Sequence, residues 1–99
     1  MSHQYRITVE ALSETAASTA AEAPQVLSFE VENHDDIFKV IKKIESRGDF
    51  KEVDAVAFGV GLKLFGEVML KNRSLPLFSG FAPHFMDFMK ELKKGIPGK

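Results

Sequence analysis

Apolar and polar residues alternate in two stretches near the start of the chain. Tyr5, Ile7 and Val9 alternate with Arg6, Thr8 and Glu10, and Leu27, Phe29 and Val31 alternate with Ser28, Glu30 and Glu32. A period of two turns one set toward a core, so both stretches predict half-buried strands. Residues 13–24 between them are small, polar and unpatterned, which predicts a mobile hairpin loop. Their Ala content offers no apolar face on which a helix could be anchored.

The period then lengthens. Ile37, Val40, Ile41 and Ile44 fall on one helical face, and Lys39, Lys42 and Lys43 on the other. Asn33 is placed to cap this first helix, with Asp35 and Asp36 in its first turn, where the helix dipole favours negative charge. Arg47 and Gly48 mark its end. Asp49 and Glu52 stand in capping-box spacing and open a second helix, about 34 Å long if unbroken to Asn72. Residues 74–80 read as a connector broken by Pro76, with Leu77 and Phe78 turned inward. A third helix starts near Pro83, presents Phe81, Phe85, Phe88, Met89 and Leu92, and stops at Lys93, Lys94 and Gly95.

The second helix departs from the usual amphipathic pattern. Ala57, Phe58, Val60, Leu62, Leu64, Phe65, Val68 and Met69 spread over more than half of its circumference. A surface helix needs an apolar stripe only about 100° wide. Cover on several sides is therefore required, from the chain itself, a second subunit, or both. Phe58, Leu62, Phe65 and Met69 share one flank and are the expected interface; Val60, Leu64 and Val68 are then assigned to the core. Gly59, Gly61 and Gly66 together cost roughly 3 kcal/mol relative to Ala. They predict close approach by a neighbour, or alternatively a kink.

The element order β-β-α-α-α predicts an α+β fold, an N-terminal antiparallel hairpin packed against three helices, with residues 1–99 forming one domain. A two-stranded sheet is marginal alone and carries two open edges. Pairing hairpins across a two-fold axis would make four strands and hide one edge per subunit.

Composition narrows the functional classes. Of the 99 residues 44% are hydrophobic and 27% charged, which is ordinary globular territory. Nine Phe against one Tyr and no Trp favour dry packing, because Phe has no polar atom to satisfy. A net charge of −1 supplies no attraction to nucleic acid or anionic lipid. The absence of Cys removes disulfides, thiolate metal sites and thiol nucleophiles, and fits a reducing compartment. The opening MSHQYRITVE lacks the apolar run of a secretory signal, and no stretch reaches 18 uninterrupted apolar residues. A cytoplasmic chain with no membrane span and no nucleic-acid partner is expected.

Candidate chemistry yields to simpler accounts. Gly61 and Gly66 have phosphate-loop spacing, but Glu67 stands where that loop requires Lys, and a carboxylate there would repel phosphate. Gly59 and Gly61 lack the third glycine of a dinucleotide fingerprint, Leu64 being in its place. His34, Asp35 and Asp36 suggest a hard-metal or acid–base cluster, yet adjacent residues at a helix start diverge, and capping accounts for both carboxylates. His3 and His84 are read as surface residues, and no Ser has a nucleophile-elbow context. Glu67 lies one turn from both Lys63 and Lys71, which predicts an ion-pair strip. A buried Glu67 of raised pKa would instead mark a functional site. No catalytic residue, cofactor or metal is expected.

Three stretches also carry a resemblance: YRITVE at residues 5–10, FEVENHDDIF at 29–38 and GLKLFGEVMLKNRSLPLF at 61–78. Together they resemble a small bacterial family catalogued only as a domain of unknown function. The resemblance spans nearly the whole chain outside residues 13–24 and implies a stand-alone domain with no assigned activity. The expected function is thus a non-enzymatic domain acting through homodimerisation or protein association. The alternative is a small-molecule-binding domain or enzyme, with a pocket between hairpin and helices that bears Glu67 or the His34–Asp36 cluster.

Overall fold

Both alternating stretches form strands. The computed structural model describes residues 2–12 and 25–97, so the predicted loop at 13–24 lies outside the described residues. Strands β1 (His3–Glu10) and β2 (Val26–Asn33) pair antiparallel, with His3 opposite Asn33 and Glu10 opposite Val26. This register sets Tyr5 across from Val31, Ile7 from Phe29 and Val9 from Leu27, so the apolar residues of both strands share one face. Arg6 opposite Glu30 and Thr8 opposite Ser28 share the other. Arg6 Nη2 donates to Glu30 Oε2 at 2.7 Å, and the Thr8 and Ser28 hydroxyls lie 3.1 Å apart. Cross-strand pairs of these kinds contribute about 0.2–1 kcal/mol each. A slip of one residue would turn the apolar set onto the polar face, which fixes the register.

The chain divides into two compact units, Met1–His34 with the strand pair and Asp35–Lys99 with the helices. In the second, helix α1 (Ile37–Ser46) opens at Asp36. Asp36 Oδ1 accepts from the N–H groups of Phe38 at 3.0 Å and Lys39 at 3.4 Å. The cap is therefore Asp36 and not Asn33, which is the last residue of β2 and too far upstream to reach the first free N–H groups. The helix closes at Arg47, and Gly48 follows at φ 83°, a conformation in which a Cβ would be strained.

Helix α2 (Glu52–Lys71) is one continuous helix of 20 residues, so its glycines do not break it. Its start differs from the expected capping box. Lys51 precedes the first turn with no side-chain cap, because the Asp49 carboxylate is engaged by Arg47. The predicted connector contains a short helix, α3 (Pro76–Ser79), which makes four helices among the described residues rather than three. Leu77 is exposed there rather than turned inward, while Phe78 is half-buried. Helix α4 (Ala82–Lys94) carries Pro83 in its first turn, where a missing N–H costs nothing.

Among the described residues, Ile37 and Ile44 of α1, Ala55 and Leu62 of α2 and Leu92 of α4 are the buried hydrophobic ones. The buried residues of α2, Ala55, Gly59 and Leu62, form a seam along the helix. A Cβ added to Gly59 would lie 2.8 Å from Ile41 Cγ1 and 3.5 Å from the Ile44 side chain, so glycine lets α1 approach. Phenyl rings join α2 to the later helices. Phe58 stacks on Phe50 at 5.3 Å and meets Phe88 edge-on at 6.1 Å. Phe65 meets Phe78, Phe81 and Phe85 edge-on at 5.8–6.1 Å, each pair adding about 0.5–1.5 kcal/mol beyond area burial.

Candidate functional site

The side of α2 opposite the seam is also apolar. Val53, Ala57, Val60, Leu64 and Val68 recur at three- and four-residue spacing and form one stripe along the helix. Val53 is 77% and Val68 50% exposed, Ala57 is exposed, and Val60 and Leu64 are half-buried. This orientation reverses the expected division of the helix. Leu62 is buried in the seam, and Phe58 and Met69 are half-buried beside it. Phe65 stands at the boundary, 40% exposed with its ring against three others. Val60, Leu64 and Val68, assigned to the core, lie on the outer side. Nearly uniform apolar character leaves no preferred face in the sequence; the close fit of Gly59 to Ile41 sets the rotation.

The three helical glycines part company here. Only Gly59 is tightly approached. Gly66 would offer its Cβ an ordinary contact with the Phe85 ring at 3.8 Å, and Gly61, on the outer side, has no atom within 4 Å of that position.

The polar candidates do not converge. Asp36 caps α1, and Asp35 Oδ2 accepts from Lys63 Nζ at 2.5 Å, while His34 is exposed. Lys63 thus reaches Asp35 as well as standing one turn from Glu67, which is half-buried. Among the described residues, no group of three or more His, Asp or Glu side chains is arranged to hold a metal ion. A cleft of about 240 Å³ within the helical unit is lined by Val40, Leu62, Met89 and Ile96, with Asp35, Lys43, Lys63 and Lys93. It includes neither Glu67, His34 nor Asp36, and it is smaller than the roughly 300–1,000 Å³ of typical ligand pockets.

One polar constellation escaped the sequence reading. Arg47 donates from Nε and Nη2 to both Asp49 oxygens at 3.1 and 2.7 Å, and from Nη1 to the Leu92 carbonyl at 2.6 Å. It gives the Leu92 carbonyl, which also accepts from the Gly95 N–H at 3.3 Å, a second and shorter donor, and ties α1 to α4. A side chain at Gly95 would overlap the Arg47 guanidinium. The hydrogen bond from Arg47 holds the Asp49 carboxyl below its ordinary pKa, and the same bond raises that of Arg47. The short Arg47-x-Asp49 spacing was visible, but contact with a residue 45 positions later had no local signal. The arrangement is a structural clasp and offers no reacting group.

Comparison with known sequences decides the lineage. Residues 3–94 match a family described as a Domain of Unknown Function with a solved structure, DUF3861. The chain belongs to this family. A crystal structure of a protein of unknown function from Pectobacterium atrosepticum SCRI1043 is similar to it at 45% identity and a TM-score of 0.78. That similarity covers 95% of this chain and 99% of the other. No curated protein matches the sequence. The family resemblance read from the three motifs and the α+β class are both as expected, the strand pair preceding the helices. No helix among the described residues is long and apolar enough to cross a membrane.

Proposed function

We propose that this DUF3861 chain is a non-enzymatic cytoplasmic domain that acts by self-association as a homodimer, burying the outer stripe of α2. The exposure of that stripe is the observation that carries the reading. Val53, Ala57 and Val68 stand in water on a helix whose opposite side is already occupied by α1 and phenyl rings. Gly61 sits within the stripe without a neighbour, although an interior helical Gly costs about 1 kcal/mol relative to Ala. A second backbone passing close to it gives that cost a purpose.

Charge supports a second copy of the chain as the occupant. Glu52 and Asp54 lie in the first turn of α2 and Lys71 in the last. Antiparallel pairing of two α2 helices brings acidic ends to basic ends and opposes their dipoles. Gly61→Gln is the discriminating variant, because nothing among the described residues lies within 4 Å of its Cβ position and the helix gains propensity. The expected result is a chain that unfolds at higher temperature yet has lost its dimer in light scattering. A variant that remains dimeric would remove the stripe as the contact. Phe65 is less suited to this test, since a charge there would also disrupt its ring cluster.

A further inference from the structure

The strand pair has a second unfinished surface, and its chemistry is asymmetric. Ala11 N–H donates to the Gln25 carbonyl at 2.9 Å, continuing the strand register by one pair. In an antiparallel ladder directly opposed residues alternate between hydrogen-bonded and non-hydrogen-bonded pairs. The odd-numbered residues of β1 are therefore the ones bonded to β2. The N–H and C=O groups of Gln4, Arg6, Thr8 and Glu10 point away from it, as do those of Val26, Ser28, Glu30 and Glu32 on the other strand. All eight residues are exposed.

The two edges differ in the side chains beside those groups. The outward positions of β2 hold Glu30 and Glu32 and no cation, so no antiparallel register of β2 with itself opposes unlike charges. The outward positions of β1 hold Arg6 and Glu10, two positions either side of Thr8. When two β1 strands run antiparallel with Thr8 opposite Thr8, Arg6 of each copy faces Glu10 of the other, and Ile7 faces Val9. Such opposite-charge, Thr–Thr and β-branched pairs are the favourable cross-strand combinations. Both rows extend contacts already present within one subunit. The Arg6–Glu30 ion pair becomes Glu30–Arg6–Glu10, and the Thr8–Ser28 hydroxyl contact becomes a ladder across the axis.

We infer that the free edge of β1 pairs antiparallel with β1 of a second copy, centred on Thr8, giving a four-stranded sheet in the order β2-β1-β1-β2. The contact is isologous and closes on itself, whereas joining β1 to β2 of another copy is head-to-tail and builds a ring or an open filament. It leaves only the acidic β2 edges open, and like charges along an edge discourage further pairing. This inference rests on the homodimer reading but uses a surface separate from the α2 stripe, so mutation distinguishes the two.

The test combines one charge reversal with amide exchange. The Glu10 carboxylate has no partner among the described residues, so Glu10→Arg should leave the far-ultraviolet circular dichroism unchanged. It sets like charges face to face at both ends of the pairing and should weaken dimerisation roughly tenfold. Mixing Glu10→Arg with Arg6→Glu restores opposite charges and should recover a mixed dimer. In the wild-type dimer the amides of Arg6, Thr8 and Glu10 should exchange slowly, and they should lose that protection in Glu10→Arg. A wild-type dimer that ignores Glu10→Arg and exchanges those three amides freely would overturn the strand contact while leaving the homodimer reading intact. A wild-type monomer at every concentration would overturn both.

Discussion

Gly59 and Gly61 stand two residues apart on α2, and their surroundings are opposite. Gly59 lies under Ile41, close enough that a methyl group would force the two helices apart, while the space around Gly61 is empty. The residues that accompany each follow suit. Ala55 and Leu62 are buried on the first side, and Val53 and Val68 are wet on the second. The same apolar composition therefore does two jobs on one helix. One side is satisfied within the subunit; the other is not.

Substitutions on the satisfied side should have the largest effect. Leu62→Ala removes buried methyl groups from the seam and should lower stability by about 2–5 kcal/mol in denaturant titration at fixed protein concentration. Gly59→Ala comes next. The added methyl would meet Ile41 at Cγ1, the carbon next to its stiff β-branch, with the Ile41 Cα only 3.5 Å away, and overpacking of this kind costs about 1–3 kcal/mol. Retained stability in Gly59→Ala would mean that α1 does not press on the seam. Gly61→Ala should have the opposite sign, raising subunit stability by up to about 1 kcal/mol from helix propensity alone. Equal effects at the two glycines would erase the difference between the two sides.

The smallest effect belongs to the clasp that holds α1 and α4 together around the seam. The folded pKa of Asp49 is depressed by its hydrogen bond from Arg47. Its contribution is therefore fully present above the ordinary Asp value of about 3.9 and is lost as pH falls through the lower folded value. Thermal midpoints of wild type and Asp49→Asn should differ at neutral pH and converge under strong acid. A difference that persists unchanged in acid would show that the carboxylate charge is not what matters.

Much of the fold was legible because its signals are local. Alternation at Tyr5, Ile7 and Val9 specifies a strand wherever one face is covered, and Ile37, Val40, Ile41 and Ile44 define a helix face without reference to the rest of the chain. Gly48 and Gly95 marked helix ends for the same reason. The errors arose where a residue's role depends on distant partners. Asn33 and Asp36 are both competent caps, and only the true start of α1 chooses between them. Leu77 is apolar yet exposed, because α3 positions Phe78 toward Phe65 instead.

The rotation of α2 is the clearest case. With apolar residues all round, its pattern announced the need for cover without saying which side faced which neighbour. The pattern predicts Leu62 outward and Val68 inward, and the structure exchanges them. Three glycines interrupt the apolar run, but which of them is pressed by another helix depends on where α1 lies. The polar candidates were legible only as residue types. Of them only Asp35 lines the cleft described above; Glu67, His34 and Asp36 do not.

The most direct measurement is the molar mass of the wild-type chain by sedimentation equilibrium at micromolar concentration. Coverage of the outer side of α2 by a second copy predicts twice the 11.0 kDa of a single chain. A mass of 11.0 kDa that does not rise with concentration would contradict it, leaving Val53 and Val68 exposed on a solitary molecule.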